Sequence, residues 1–465
     1  MRGVLLRFSE YIEGLKSKRV TVIGAGISNT PLIKALLAAG VDTTICDRQD
    51  RNDIGDLADH YESMGALLSL GYDYLKNLEG DVIFRTPGLM PWHPELLEAV
   101  ARGAALTSEM EVFFDVCPCT IIAVTGSDGK TTTTSIIAKI LEKEGRTVHV
   151  GGNIGTPLLC TADNMSPDDI AVLELSSFQL ISMRKSPHIA VITNVSPNHL
   201  DIHGDFEEYY KAKSNIYIHQ NSDGRAVFNL DNDYTRRFAE SAPGEALFFS
   251  RCEKVRDGVY FDNGIIYESI NGSSEAIMQG SEILLPGSHN VDNCMAAFAA
   301  VRGIASRTAM REIGRTFPGV PHRIELVREI NGVRYYNDSI ASSPSRAIAG
   351  MQAFNQKVIL IAGGKDKGID FDELGAEIVQ HVKTLVLTGL TAENIRCAVM
   401  NATGYSGVPK IILREEFCDA VLAASESAES GDVVLLSPAC TSFDRFRNFE
   451  ERGETFREIV SRIES

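Results

Sequence analysis

Short apolar runs of strand length alternate with amphipathic stretches of helix length along almost the whole chain. Residues 19–23, 43–47 and 81–84 read as strands with helices between them. The pattern restarts at 120–125 and continues through 147–151, 170–175, 189–193 and 226–229. It restarts again at 333–336, followed by 358–362, 384–388 and 432–436. Strand–helix alternation predicts mostly parallel sheets covered by helices. One sheet holding all of these strands would be unusually wide, so the pattern predicts an α/β protein of three domains. Cys117-Pro118 precedes the second series, and the Pro- and Gly-containing stretch 317–321 precedes the third. The expected domains are 1–117, 118–320 and 321–465. Residues 256–283 are richer in Gly, Asn and Ser and predict small antiparallel strands within the middle domain.

A length of 465 residues independently favours two or three domains. Hydrophobic residues make up 44% and charged residues 23%, both ordinary for a globular protein. Apolar runs stay well short of the roughly 18–20 residues that span a bilayer, and residues 1–17 lack the order of a secretory signal. A cytoplasmic, membrane-free protein is expected. Nine scattered cysteines do not form a disulfide framework. Cys117-Pro118-Cys119 lacks a second pair to complete a zinc site and reads as reduced, structural thiols. The net charge of −17 speaks against a nucleic-acid partner, whose binding draws on Lys and Arg. It leaves room for a nucleotide, which needs only local donors.

Such donors are present. The apolar run Ile121-Ile122-Ala123-Val124 leads into Thr125-Gly126-Ser127-Asp128-Gly129-Lys130-Thr131, and a helical stretch continues to about residue 144. Strand, glycine-containing loop and helix together aim backbone N–H groups at an anion. The lysine suits phosphate oxygens, and the following hydroxyl suits Mg²⁺. The spacing is Gly-x-x-Gly-Lys-Thr, shorter than the usual phosphate loop, and alone it also fits a surface turn. Gly24-Ala25-Gly26 follows the first strand and Asp47 ends the second, but Asn29 stands where a dinucleotide loop has its third glycine. That loop reads as a nucleotide diphosphate site or a packing turn. Glu174 ends an apolar strand, where parallel sheets bind ligands and where a carboxylate suits Mg²⁺; a helix-capping acid would look the same. His199 lies past another strand end, among polar neighbours. Lys213, on an expected helix, reads by pattern alone as a solvated lysine.

Taken together, the segments TGSDGKT (125–131), GGNIG (151–155), LELSSFQL (173–180), NVSPNHLD (194–201), LPGSHNVDN (285–293), PHRIE (321–325), YNDSIASSP (336–344), AGGKDKG (362–368) and LSPACTSFDRFRNFEERG (436–453) resemble the Mur ligase family of peptidoglycan synthesis over essentially the whole chain. The resemblance implies a Rossmann-like UDP-substrate domain, a central phosphate-loop ATPase domain and a Rossmann-like C-terminal domain. It implies ATP and Mg²⁺ as cofactors, and ligation of D-glutamate to UDP-N-acetylmuramoyl-L-alanine through an acyl phosphate. A monomer is expected.

Residue roles follow from the same resemblance. Gly126, Ser127, Asp128, Gly129, Lys130, Thr131 and Thr132 would hold the ATP phosphates, and Thr131 the first Mg²⁺. Glu174 and His199 would hold the second Mg²⁺, together with Lys213 once carbamylated. Asn290 and Arg323 would reach ATP, and Asp338 its ribose. Asn153 and Ser177 would face the muramoyl substrate, and Ile27, Ser28, Asp47 and Arg48 would line the uridine site. Ser342, Lys367, Ser442, Phe443 and Phe449 would receive the amino acid. The catalytic set would be Lys130, Glu174, His199 and Lys213. Three positions depart from common family forms: SDGK in the phosphate loop, Asn198 in place of an aspartate, and Ile340 in place of a lysine that helps hold the D-glutamate carboxylate. No D-N-P-R string, the mark of relatives adding diaminopimelate or lysine, is present. A ligase for another amino acid, such as a folylpolyglutamate synthase, and a non-catalytic nucleotide-binding regulator are the competing readings.

Overall fold

The computed structural model describes residues 6–196, 205–365 and 370–464. The chain packs as two compact units, one of residues 1–280 with 292–313 and one of residues 281–291 with 314–465.

The first unit contains two sheets. In the first sheet, β1 (Arg19–Ile23), β2 (Asp42–Asp47), β3 (Leu67–Leu70), β4 (Val82–Phe84) and β5 (Ala105–Thr107) are all parallel, in the order β3-β2-β1-β4-β5. The order reverses direction between β1 and β4, so the loops after these strands diverge and leave a crevice at the carboxyl edge. Ile23 pairs with Cys46 and Val22 with Phe84, which brings Gly24, Asp47 and Arg85 to that edge.

The second sheet contains β6 (Thr120–Thr125), β7 (Val148–Gly152), β8 (Ile170–Glu174), β9 (Ile189–Ile192), β10 (Arg225–Asn229), β11 (Glu245–Ser250), β12 (Gly258–Asp262), β13 (Ile265–Ile270) and β14 (Ser273–Gln279). Its order is β14-β13-β12-β11-β10-β9-β6-β8-β7. The strands from β7 to β12 run parallel, and the expected antiparallel strands are β12, β13 and β14, a meander at one edge. β6, β8 and β9 are covered on both faces, which explains their unbroken apolar runs.

Polar contacts join the sheets of this unit, among them those of Asp163 and Arg85. Asp163 accepts from the backbone N–H groups of Phe8 and Ser9 at 2.7 and 3.0 Å, serving the amino end of the helix Phe8–Glu13. Arg85, 1% exposed, donates through Nη2 to Phe178 O at 2.9 Å and to Ser182 Oγ at 2.7 Å. A buried guanidinium must have its donors met; Nη2 finds acceptors in the segment that follows β8, and Nη1 donates to Leu89 O at 3.2 Å in its own loop.

In the second unit, β15 (Glu325–Ile330), β16 (Val333–Asn337), β17 (Val358–Ala362), β18 (Val382–Leu387), β19 (Lys410–Leu413) and β20 (Val433–Leu436) form a sheet in the order β15-β16-β20-β17-β18-β19. Only β15 is antiparallel to its neighbour. Among the described residues, no helix is long and apolar enough to cross a membrane.

Candidate active site

The phosphate loop is the turn from β6 into the helix Lys130–Lys143. Gly129 has φ 78°, a left-handed value that L side chains rarely adopt, and a Cβ there would also collide with Asn293 Oδ1. Gly126 passes so close to the Thr193 hydroxyl that a Cβ has no room. The loop is pinned from the neighbouring strand end. Ser127 N donates to Asn194 O at 2.9 Å, Asp128 N donates to Asn194 Oδ1 at 2.9 Å, and Thr193 Oγ1 donates to Asp128 O at 2.5 Å. Ser127 Oγ lies 3.0 Å from the Tyr209 hydroxyl and accepts from Ser196 N at 2.9 Å. The loop is thereby held open-ended at the amino terminus of a 14-residue helix, where N–H groups and the helix dipole favour an anion.

Strand order places the remaining groups beside it. Val124 pairs with Glu174, and Gly152 pairs with Glu174 from the other side, so the ends of β6, β8 and β7 are level. Thr131 Oγ1 donates to Glu174 Oε2 at 2.6 Å, and Asn153 Nδ2 donates to Glu174 Oε1 at 2.9 Å. Asn153 N also donates to Glu174 O at 2.8 Å. Glu174 itself is 2% exposed. A buried carboxylate beside a hydroxyl suits a hard divalent cation, which takes oxygen ligands. Among the described residues, no group of three or more His, Cys, Asp or Glu side chains converges.

Lys213, on the helix Phe206–Ser214, is not the solvated lysine of its sequence pattern. It is 1% exposed, donates to Gly126 O at 2.7 Å and lies 4.6 Å from the centre of the Tyr209 ring. Lys130 Nζ donates to the same Gly126 carbonyl and to Ser127 O, each at 2.9 Å. Burial pushes the Lys213 amine well below the ordinary lysine range, and the second cation, Lys130, pushes the same way against Asp128 and Glu174. Two amines therefore share one loop carbonyl, and burial shifts the Lys213 amine toward its neutral form. Ser177 is buried in the helix Ser177–Leu180, whose cap Ser176 accepts from Gln179 N at 3.2 Å. His199 lies outside the described residues.

At the carboxyl edge of the first sheet, Ile27 is 84% exposed and Ser28 and Arg48 are exposed. Asp47 accepts from Ala25 N at 2.7 Å and from Gln49 N at 2.8 Å. Asn29 sits in the third-glycine position for a structural reason: its buried amide donates to Ile23 O and Gly24 O at 3.0 and 3.1 Å, closing the loop.

In the second unit, Asn337 pairs with Leu436 and Ile361 pairs with Leu436, so Asp338, Ser437 and the loop after β17 meet at one edge. Asp338 accepts from Ser437 Oγ at 2.8 Å and from Ile324 N at 3.3 Å. Burial pushes its carboxyl up to about 7, with Ser437 opposing. Arg323 is half-buried between His322 and Ile324, both with positive φ. Asn290 donates to Pro286 O at 2.6 Å. Ser442 is buried, Phe443 is 62% exposed, and Phe449 packs edge-on against His322 with ring centres 6.1 Å apart. Ser342 is half-buried; Lys367 lies outside the described residues. A cavity of about 410 Å³, lined by Gly389, Leu390, Arg414, Glu415, Asp444 and Arg445, opens beside the Ser442–Phe443 loop.

Sequence reasoning overlooked Thr193, Asn194, Tyr209 and Asn293, which shape the phosphate loop, and Arg452. Arg452 is 2% exposed and donates to Ser339 Oγ at 3.0 Å and to Cys440 O at 3.2 Å. Thr193, Asn194, Asn293 and Arg452 lie inside or next to quoted motifs and Tyr209 lies on the same helix as Lys213, but their types do not single them out.

The comparisons with known proteins agree with this geometry. Residues 124–301 match the Mur ligase middle domain, and residues 322–440 match the Mur ligase glutamate ligase domain. The UDP-N-acetylmuramoylalanine–D-glutamate ligase of Ruminiclostridium cellulolyticum is 48% identical over 98% of this chain and 99% of its own. The chain belongs to the Mur ligase family. The ligase of the same name from Acetivibrio thermocellus is also 48% identical, over 99% of both chains. The crystal structure of UDP-N-acetylmuramate–alanine ligase from Thermotoga maritima shares the fold, with a TM-score of 0.56 and 17% identity over 96% of this chain and 99% of that one.

Proposed function

We propose that this Mur ligase joins D-glutamate to UDP-N-acetylmuramoyl-L-alanine at the expense of ATP, as a step of peptidoglycan precursor synthesis in the cytoplasm. The observation that carries the reading is the meeting of Lys130 and Lys213 on the Gly126 carbonyl, beside the hydrogen-bonded set Thr131, Glu174 and Asn153. The name shared by the full-length relatives supports the choice of substrates. The working domains are 1–117 for the UDP substrate, 118–320 for ATP and 321–465 for ATP and the amino acid, in a monomeric enzyme.

The substrate carboxylate attacks the γ-phosphate and displaces ADP to give the acyl phosphate, and Lys130 neutralises charge that develops on the transferred group. Thr131, Glu174, His199 and a carbamylated Lys213 would hold Mg²⁺, which when bound supplies further charge neutralisation at phosphate oxygens. The neutral amine, toward which burial shifts Lys213, is the form that adds to carbon dioxide, and the resulting carbamate replaces a cation with an anion. Asn153 and Ser177 orient the muramoyl substrate, while Ile27, Ser28, Asp47 and Arg48 receive its uridine end. Asn290, Arg323 and Asp338 engage ATP. Ser342, Lys367, Ser442, Phe443 and Phe449 receive D-glutamate, whose amine attacks the acyl phosphate; the tetrahedral intermediate then expels phosphate. Ile340 replaces a frequent family lysine, so Ser342 and Lys367 carry more of the carboxylate recognition.

The test is a phosphate-release screen of common D- and L-amino acids with UDP-N-acetylmuramoyl-L-alanine and ATP. Release is expected with D-glutamate and only when all three substrates are present. Preference for another amino acid would overturn the specificity, and absence of release with every amino acid would overturn the ligase reading.

A further inference from the structure

Cys117 and Cys119 flank Pro118 between the helix Glu109–Val116 and β6, the strand that delivers the phosphate loop. Their Sγ atoms are 3.4 Å apart, both side chains are buried at 7% and 2% exposure, and both are free thiols. A disulfide needs a sulfur separation of about 2.0 Å, so closing the pair requires the sulfurs to approach by about 1.4 Å. Packing has already brought the two sulfurs together, and most of the ordering that a disulfide demands is present in the reduced chain. The sulfurs lie within hydrogen-bonding distance, and that contact draws the Cys119 thiol below its ordinary range while raising Cys117. The thiolate is the form that peroxides oxidise, and an adjacent thiol converts the resulting sulfenic acid to a disulfide.

We propose that Cys117 and Cys119 form a peroxide-oxidisable dithiol, a modification site distinct from the ligase centre. One thiolate attacks the O–O bond of a hydroperoxide and takes up one oxygen as a sulfenic acid, releasing an alcohol, or water when the oxidant is hydrogen peroxide. The second sulfur attacks the first, gives up its proton and expels water. Two thiols are oxidised by two electrons and one peroxide is reduced, so the step balances without a further reagent. The product ties the end of the helix Glu109–Val116 to the start of β6.

The full chain is treated in its native state with graded hydrogen peroxide, quenched in acid and examined by mass spectrometry. The peptide carrying both cysteines is expected to lose two hydrogens and to regain them with a thiol reductant, while Cys294, buried to 1% without a nearby thiol in contact, stays alkylatable. Cys117→Ser or Cys119→Ser is expected to abolish the two-hydrogen loss. The proposal is overturned if both cysteines remain alkylatable while exposed Cys252, Cys397 and Cys418 are consumed. It is also overturned if the disulfide forms only in denaturant, or persists in either variant.

Discussion

The hydroxyl of Thr131 donates to Glu174 Oε2 at 2.6 Å, joining the first turn of the helix after the phosphate loop to the end of a strand 43 residues further on. Asn153 holds the other carboxylate oxygen, so Glu174 is oriented from both sides before any ligand arrives. Thr131→Val and Glu174→Gln are each expected to lower kcat by roughly 10²–10³ with the fold retained. Because the two groups act as one unit, the double variant should lose little more than the worse single one. Steady-state phosphate release on all three proteins checks this; additive losses would mean that the two residues act independently.

Lys130 is half-buried and donates to two loop carbonyls. Lys130→Ala is expected to lower turnover by at least about 10²-fold while circular dichroism and thermal unfolding show a folded protein. Near-normal turnover in that variant would remove Lys130 from the phosphate grip.

Lys213 is expected to be indispensable for a different reason, since its buried amine is the site proposed for carbamylation. Lys213→Ala should be inactive and should recover part of its activity with acetate or formate, small carboxylates that fit the vacated space. Full activity without added acid would rule the carbamate role out.

Glu109 is a buried carboxyl apart from the ligase centre, accepting from Leu159 N at 3.2 Å. Burial pushes it up from 4.5 to about 7, against the Leu159 hydrogen bond. An acid with a raised folded-state value favours folding when protonated. Its contribution is therefore full below about 4.5 and is lost as pH rises through about 7. Stability should fall across that window by up to about 3 kcal/mol, and Glu109→Gln should flatten the fall. Urea unfolding at pH 5 and pH 8 measures both slopes; equal slopes for the two proteins would place the titration elsewhere.

Much of the fold was legible because strands buried on both faces leave an unmistakable mark. β1, β6 and β17 have the bounds their apolar runs predict, and the helix after the phosphate loop ends within a residue of expectation. β3, β5, β15 and β19 were not legible. They are short or lie near or at a sheet edge, and their positions are mostly half-exposed, so their sequences lack a continuous apolar run. The strand-end positions of the phosphate loop and Glu174 were legible, but position alone also fitted a surface turn and a helix-capping acid, and their roles came from the family resemblance. Lys213 was not legible: Tyr209-Tyr210-Lys211-Ala212-Lys213 has the pattern of a solvated helix face, and its burial depends on a loop 87 residues away.

The sequence by itself determined the local facts: where strands and helices form, that glycines bend the chain before Lys130, and, through motifs spread along its length, the family. These depend on backbone propensity and hydrophobic period, which neighbouring residues set. Only the tertiary structure decided which polar groups meet. The order β9-β6-β8-β7 sets Asn194, the phosphate loop, Glu174 and Asn153 side by side, although the chain visits them in a different sequence. That order, through the water it excludes and the charges it gathers, turned a common lysine at 213 into a buried amine beside a second cation.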